Sequence, residues 1–156
     1  MDYIFQYDSP IGALFLRSDG AKLTGLSPVW FDGIRSNLPV FEDARHWLDA
    51  YFRGEAPDPR GLPLALAGTV FQQAVWAHLL TVSHGHSLTY GEIARAIGKP
   101  HACRAVGQAV GRNPIGIIIP CHRILGAGNK LTGFSWGIDK KKWLLRHEGV
   151  IFLDHP

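Results

Sequence analysis

The stretch YGEIARAIGKPHACRAVGQAVGRNPIGIIIPCHRI, residues 90–124, constrains the fold more than any other part of this chain. Its first half holds two short helix-forming runs. Tyr90 to Ile97 is entered through Ser87 or Thr89 and stopped by Gly98 and Pro100. A second run, from about His101 to Arg112, is stopped by Asn113-Pro114, because a residue before proline is pushed out of the helical region. Two short helices joined by a tight glycine-containing turn predict a helix-turn-helix. The apolar run that follows ends at Pro120, and Cys121 and His122 come next. A buried-looking segment therefore terminates by presenting a thiol beside an imidazole.

The second helix carries small residues at Ala102, Ala105, Gly107, Ala109 and Gly111. Glycine inside a helix costs roughly 1 kcal/mol against alanine. Close approach of another backbone would justify that cost. The partner is either a neighbouring helix or a nucleic-acid sugar-phosphate edge, with Arg104 and Arg112 supplying charge.

The remainder divides into two parts. YIFQYDSPIGALFLRSDGAKLTGLSPV reads as short strands punctuated at Ser9-Pro10 and Asp19-Gly20. FEDARHWLDAYFRG has helical apolar spacing at Phe41, Ala44, Trp47, Leu48, Tyr51 and Phe52. The Pro- and Gly-rich EAPDPRGLPLALAG marks a boundary, giving parts 1–66 and 67–156. FQQAVWAHLL predicts a helix burying Phe71, Ala74, Val75, Ala77 and Leu79 or Leu80, with Trp76 also in the core. TVSHGHSLT reads as a loop. DKKKWLLRHEG reads as a last helix, with Asp139 as its N-cap and Gly149 past its end. Glu148 then sits in the last turn, where the helix dipole disfavours an anion unless a positive or hydrogen-donating partner holds it.

Charge is asymmetric. Residues 1–75 carry 6 Lys/Arg and 9 Asp/Glu; residues 76–156 carry 10 and 4. The basic half predicts either a polyanionic partner or a solvated basic face. An ordinary apolar share of 46%, apolar runs too short to span a bilayer, and a start without signal-peptide character predict an intracellular protein. Two cysteines in that compartment are expected as free thiols.

Cys121 can act as a nucleophile if a base or cation draws off its proton. His122 is adjacent, but neighbours in an extended segment point opposite ways, so it needs a bend or a bridging water. Glu148 could orient the imidazole. The alternative is an inert buried cysteine with an incidental histidine. His122 and Glu148 together are expected to hold the thiol below its free value of ~8.5. Zinc is not expected: His101 and Cys103, or His84 and His86, lack further soft ligands at suitable spacing.

Set in context, NPIGIIIPCHRI, preceded by YGEIARAIGKPHACRAVGQAVGR and followed by GFSWGIDKKKWLLRHEG, strongly resembles the O6-alkylguanine-DNA alkyltransferases, the methylated-DNA–protein-cysteine methyltransferases. The strand-rich start resembles the family's first lobe. The resemblance implies an α/β (α+β) fold: a small N-terminal ribonuclease H-like α/β lobe, then a mainly helical C-terminal domain with the helix-turn-helix. It implies a DNA repair protein that flips O6-alkylguanine, and O4-alkylthymine, out of the duplex and transfers the alkyl group once to Cys121. His122 would be a water-mediated base held by Glu148. Asn113 would hold the active-site turn, and Tyr90 would rotate the nucleotide and protonate the leaving base. Arg104 would fill the gap in the stack. Tyr90, Ala102, Cys103, Ala105, Gly107, Arg112 and Arg123 would join it on DNA, in the minor groove. Phe134, Ser135, Trp136, Val110 and Pro120 would wall the pocket. Trp136 either points inward and narrows the pocket or packs outward near Trp143. Phe134 stands where tyrosine is usual, and Cys103 where alanine is common. No cofactor, metal or membrane is implied, and a cytoplasmic (or, in a eukaryote, nuclear) monomer is expected. Two rivals predict different behaviour: a non-catalytic damage-binding relative would lack the cysteine, and a cysteine hydrolase would turn over.

Overall fold

Residues Tyr3–Ser9 (β1) and Gly12–Ser18 (β2) form an antiparallel hairpin in the computed structural model, which describes residues 1–154. Its two-residue loop closes at Gly12, whose φ of 104° lies in the region glycine adopts without strain. Asp19 makes the next turn by accepting from the backbone N–H groups of Ala21 and Lys22 at 2.9 and 2.8 Å. Leu23–Ser27 (β3) returns along β2, and the short Ile34–Arg35 (β4) pairs parallel with β1, giving the order β3-β2-β1-β4. Period-two burial on β2 turns Leu14, Leu16 and Ser18 inward.

Pro39–Phe52 (α1) covers this sheet with Val40, Phe41, Ala44, Trp47, Leu48 and Tyr51 buried. It starts two residues before its apolar periodicity, because Pro39 occupies the first turn, where a missing N–H costs nothing. The outer edge of β3 is not left open. Leu23 donates to the Pro63 carbonyl at 2.9 Å, and Leu26 donates to that of Pro114 at 2.9 Å. These bonds place Pro114–Ile118 with residues 1–67 as one compact unit and protect the edge from stray pairing. In that segment Ile118 donates back to Gly116 at 2.8 Å across Ile117, which has φ 67°. That is the strained form of the γ-turn, rare for a β-branched residue.

The second unit comprises residues 68–113 and the chain from Ile119 onward. Val70–Leu79 (α2) opens with a Thr69/Gln72 capping box and buries Val75, Trp76 and Leu79; Ala74 and Ala77, expected inside, are exposed. Both fall outside the stripe that holds Trp76, whose indole N–H donates to the Ala109 carbonyl at 2.8 Å. Leu88–Thr89 (β5) leads directly into Tyr90–Ala96 (α3), capped reciprocally by Thr89 and Glu92. Cys103–Gly111 (α4) packs on both α2 and α3 through Val106, Ala109 and Val110. Ile124–Leu125 (β6) pairs parallel with β5, and Ile138–Glu148 (α5) ends at Gly149 in the left-handed conformation. Asp139 is not the N-cap: Gly137 holds that position, and Asp139 lies in the first turn, where the dipole favours its charge. No helix among the described residues is long and apolar enough to cross a membrane.

Gly68 is fixed by Trp76. A Cβ at residue 68 would lie 2.6 Å from the indole ring, which its bond to Ala109 holds in place. Gly68→Ala is therefore expected to cost about 1–3 kcal/mol in chemical denaturation. Gly61→Ala, with nothing within 4 Å, is the neutral control. Equal stability of the two variants would remove this constraint.

Candidate active site

Two backbone devices present Cys121. Pro120 (φ −80°, ψ 64°) centres an inverse γ-turn in which the Cys121 N–H donates to the Ile119 carbonyl at 2.7 Å. Cys121–Arg123 then form one turn of 3-10 helix before β6. This is the bend that an adjacent His122 requires. Because β5 and β6 pair in parallel, Leu88 with Ile124 and Thr89 with Leu125, the start of α3 lies beside that turn. Tyr90 and Cys121 consequently line one cavity of about 200 Å³, with Gly107, Val110, Gly111, Gly133, Phe134 and Ser135. Asn113 donates its side-chain N–H to the Ile119 carbonyl at 2.7 Å and also hydrogen-bonds the Cys121 thiol.

Behind the thiol lies a buried charge cluster. His122 Nε2–H donates to Glu148 Oε2 at 2.5 Å, and Arg123 Nε–H donates to Glu148 Oε1 at 2.7 Å. The Glu148 side chain is 0% exposed. Burial alone would raise its pKa, but His122 and the Arg123 guanidinium outweigh it and hold the carboxyl well below the usual range. Arg123 is itself fixed by donating to the Val82 carbonyl at 2.6 Å. His122, wholly buried, is pushed down by desolvation against the pull of Glu148. We assign it as neutral, because Arg123 already balances the carboxylate. The Nε2–H tautomer leaves Nδ1 with a free lone pair and no hydrogen-bond partner among the described residues.

Burial pushes the Cys121 thiol up, opposed by the Asn113 hydrogen bond and by Lys141. The expectation of a thiol lowered by His122 and Glu148 does not hold for this resting state. A neutral imidazole offers no charge to stabilise a thiolate, and desolvation penalises one. These shifts favour a neutral thiol and a neutral imidazole over a preformed ion pair.

Comparison with known proteins places this arrangement. Residues 70–150 match the family description "6-O-methylguanine DNA methyltransferase, DNA binding domain", and residues 3–66 match "6-O-methylguanine DNA methyltransferase, ribonuclease-like domain". The chain belongs to this methyltransferase family. A methylated-DNA–protein-cysteine methyltransferase of Haemophilus influenzae is 44% identical, over 97% of this chain and 89% of its own length. One from Methanosarcina acetivorans is 42% identical over 94% and 98%. A crystal structure of Mycobacterium tuberculosis OGT in complex with DNA has TM-score 0.85 and 45% identity, covering 94% of this chain and 92% of that one.

Within this methyltransferase frame, the residues singled out in the sequence fall into three groups. Cys121, Tyr90, Val110, Phe134 and Ser135 meet at the cavity, with Asn113, His122 and Glu148 behind it. Cys103, Arg104 and Ala105 are exposed on α4, Ala102 and Gly107 are half-buried, and Arg112 is exposed at its end. A Cβ at Gly107 would meet only the Tyr90 ring, at 3.8 Å, and one at Gly111 would meet nothing within 4 Å. Packing inside the protein therefore does not demand these glycines. The third group departs from expectation. Arg123, expected on DNA, is 6% exposed and committed to Glu148 and Val82, so it cannot reach a phosphate. Pro120 flanks the turn without lining the cavity, and Trp136 lies against the Phe134 ring, 5.8 Å between centroids, and is not among the lining residues. No group of three or more His, Cys, Asp or Glu among the described residues is placed to hold a metal.

Two residues escaped the sequence reading. Lys141, in the first turn of α5, is 1% exposed. It donates to the Ile124 carbonyl at 2.7 Å and to Thr132 Oγ1 at 3.1 Å. Thr132 Oγ1 is 2.9 Å from the Tyr90 hydroxyl. Lys141 sits in a run of three lysines, and only the helical phase set by Leu144 and Leu145 marks it as facing inward.

Two outcomes follow from the cluster. Alkylation of Cys121 by iodoacetamide should accelerate with pH beyond the free-thiol range near ~8.5, because a raised pKa leaves little thiolate at neutrality. A plateau already reached at pH 7 would mean a preformed thiolate. Glu148→Gln leaves Arg123 buried without its counter-charge, so denaturation should show a loss of about 3–5 kcal/mol. The lowered Glu148 contributes stability above the unfolded carboxyl value of ~4.3, lost as pH falls below it, so the variant's deficit should shrink in acid. A deficit constant with pH would contradict this.

Proposed function

We propose that this protein repairs O6-alkylguanine in duplex DNA, and by the same chemistry O4-alkylthymine, by moving the alkyl group once and irreversibly to Cys121. The observation that carries the proposal is the cavity whose wall combines a buried nucleophile, Cys121, with a proton-bearing phenol, Tyr90. At about 200 Å³ it is smaller than the ~300–1,000 Å³ typical of drug-sized sites, which suits a single flat base taken out of the stack. The Haemophilus influenzae and Methanosarcina acetivorans relatives are named for methylated DNA, which supports that substrate class.

The reaction is a displacement at the alkyl carbon. His122 Nδ1 accepts the thiol proton through a bridging water, with Glu148 stabilising the imidazolium that forms. The Cys121 sulfur attacks the carbon, a C–S bond forms, and the C–O bond to the base breaks. The electron pair leaves with the base, which takes a proton from Tyr90. A thioether has no route back to thiol, so each molecule acts once. Asn113 keeps the turn in place, and Phe134 and Ser135 flank the base.

Access to the base falls to the helix-turn-helix. The start of α4 is exposed at Cys103, Arg104 and Ala105, with Ala102 half-buried before it, and the small residues around Arg104 let it lie in a minor groove. The basic charge of this half favours a polyanion. Arg104 fills the gap left by the extruded nucleotide, satisfying orphaned base edges with its fork of donors. The protein acts as a monomer.

Incubation with O6-methylguanine duplex, followed by intact and peptide mass, should give one methyl per protein on Cys121, after which the reaction stops. Methyl on Cys103, or repeated turnover, would overturn the assignment. Arg104→Ala removes support for a step worth a few kcal/mol, so it should slow repair of duplex roughly tenfold or more. It should leave reaction with the free alkylated base unchanged. Equal slowing on both substrates would take Arg104 out of base extrusion.

A further inference from the structure

One exposed polar residue on α4 takes no part in the chemistry described so far. Val106, Ala109 and Val110 are buried. With about 3.6 residues per turn, the opposite face of the helix is centred on Arg104, Gln108 and Gly111, and all three are exposed. Gly107 and Gly111, the neighbours of Gln108 toward the cavity, line it together with Cys121. Gln108 therefore stands at the lip of the cavity. Residues four apart on a helix have their Cβ atoms roughly 5–6 Å from each other, and long helical side chains lean toward the N-terminus, which carries the Gln108 amide toward Arg104. A Cβ at Gly111 would meet nothing within 4 Å, so no side chain crowds the amide from that side. The amide has no hydrogen-bond partner among the described residues.

We propose that Gln108 reads the minor-groove edge of a base pair beside the extruded nucleotide and prefers a G·C pair there. The inference rests on the repair reading above, with α4 in the minor groove and Arg104 in the gap. It adds a dependence on the neighbouring sequence that neither the nucleophile nor Arg104 can supply. In the minor groove every base pair offers acceptors, and only G·C adds a donor, the 2-amino group of guanine. A guanidinium only donates, so Arg104 meets all pairs alike. Alanine and glycine offer no side-chain polar group. Among the exposed side chains of α4, Gln108 alone carries a strong acceptor, its amide oxygen. That oxygen can receive the guanine 2-amino hydrogen, while the amide NH2 donates to the ring nitrogen N3 of the same guanine. Opposite an A·T pair the oxygen finds no donor and loses its water without replacement. Gln108 touches a neighbouring pair and not the reacting atoms, so it is a specificity residue.

The test uses inosine, which differs from guanine only by lacking the 2-amino group. Methyl transfer to Cys121 is timed with subsaturating O6-methylguanine duplexes. A guanine is placed at the 5′ or the 3′ flank of the lesion, in either strand, and each duplex is repeated with inosine in place of that guanine. Inosine also weakens the flanking pair, which eases extrusion for any form of the protein. Comparing the guanine-to-inosine rate ratio between the unmodified protein and Gln108→Met cancels that effect. Methionine keeps the length and flexibility of the side chain on an exposed helix face and removes both polar groups. The ratio should be about three- to tenfold higher in the unmodified protein at one flank, the worth of one hydrogen bond, and equal in the two proteins at the others. Equal ratios at every flank would overturn the proposal. So would a loss in Gln108→Met shared equally by guanine and inosine duplexes, since that would make Gln108 a contact without sequence preference. Absence of methyl on Cys121 of the unmodified protein with every duplex would instead overturn the repair reading itself.

Discussion

Glu148 is an anion with its side chain cut off from water at the C-terminal end of α5, where the helix dipole also opposes it. Such a group stays charged only if other groups replace its hydration. Arg123 does so from one side with an N–H at 2.7 Å, and His122 does so from the other. Each is locked in turn, Arg123 by the Val82 carbonyl and His122 by complete burial. Satisfying this carboxylate thus fixes the 3-10 turn that contains Cys121, the tautomer of the imbedded imidazole, and the position of the loop that carries Val82. With Arg123 balancing the charge, His122 is free to remain neutral and keep a bare Nδ1. Burial likewise favours the protonated form of the Cys121 thiol.

The cavity arises from a different constraint. The two-residue parallel pairing of β5 with β6 sets Tyr90 and Cys121 beside each other, and the Thr89/Glu92 capping box fixes where α3 begins. α4 presses Val106, Ala109 and Val110 into the core and lines the cavity with Gly107, Val110 and Gly111. Its opposite side leaves Cys103, Arg104 and Ala105 exposed. One short helix thereby serves both the pocket and the outward face on which a nucleic-acid partner is proposed.

Much of this was legible in the sequence, for identifiable reasons. Strand alternation, proline and glycine stops and the helix-turn-helix spacing are local signals, and they located most elements within a few residues. Glu148 stood out because it sits against a helix dipole, and Cys121 because an apolar run ends on it. Long-range facts were less visible. Lys141 differs from its neighbours Lys140 and Lys142 only in its helical phase with Leu144 and Leu145, a faint signal inside a run of charge. The family resemblance put Arg123 on DNA, and its buried partner lies 25 residues away, where no local signal marks it. Trp136 left two orientations open, and its ring lies against that of Phe134. Asp139 misled as a cap because Gly137, with φ 99°, turns the chain two residues earlier.

The central claim is the charge state behind the nucleophile: an ionised Glu148, a neutral His122 protonated on Nε2, and a protonated Cys121. Nitrogen-15 NMR of the His122 ring in the unreacted protein reads it most directly. The expected spectrum has one protonated nitrogen, Nε2, and one bare nitrogen, Nδ1, unchanged across neutral pH. A ring protonated on both nitrogens at neutral pH would mean an imidazolium, and a proton on Nδ1 alone would mean that Glu148 does not set the tautomer. Either result would contradict the account.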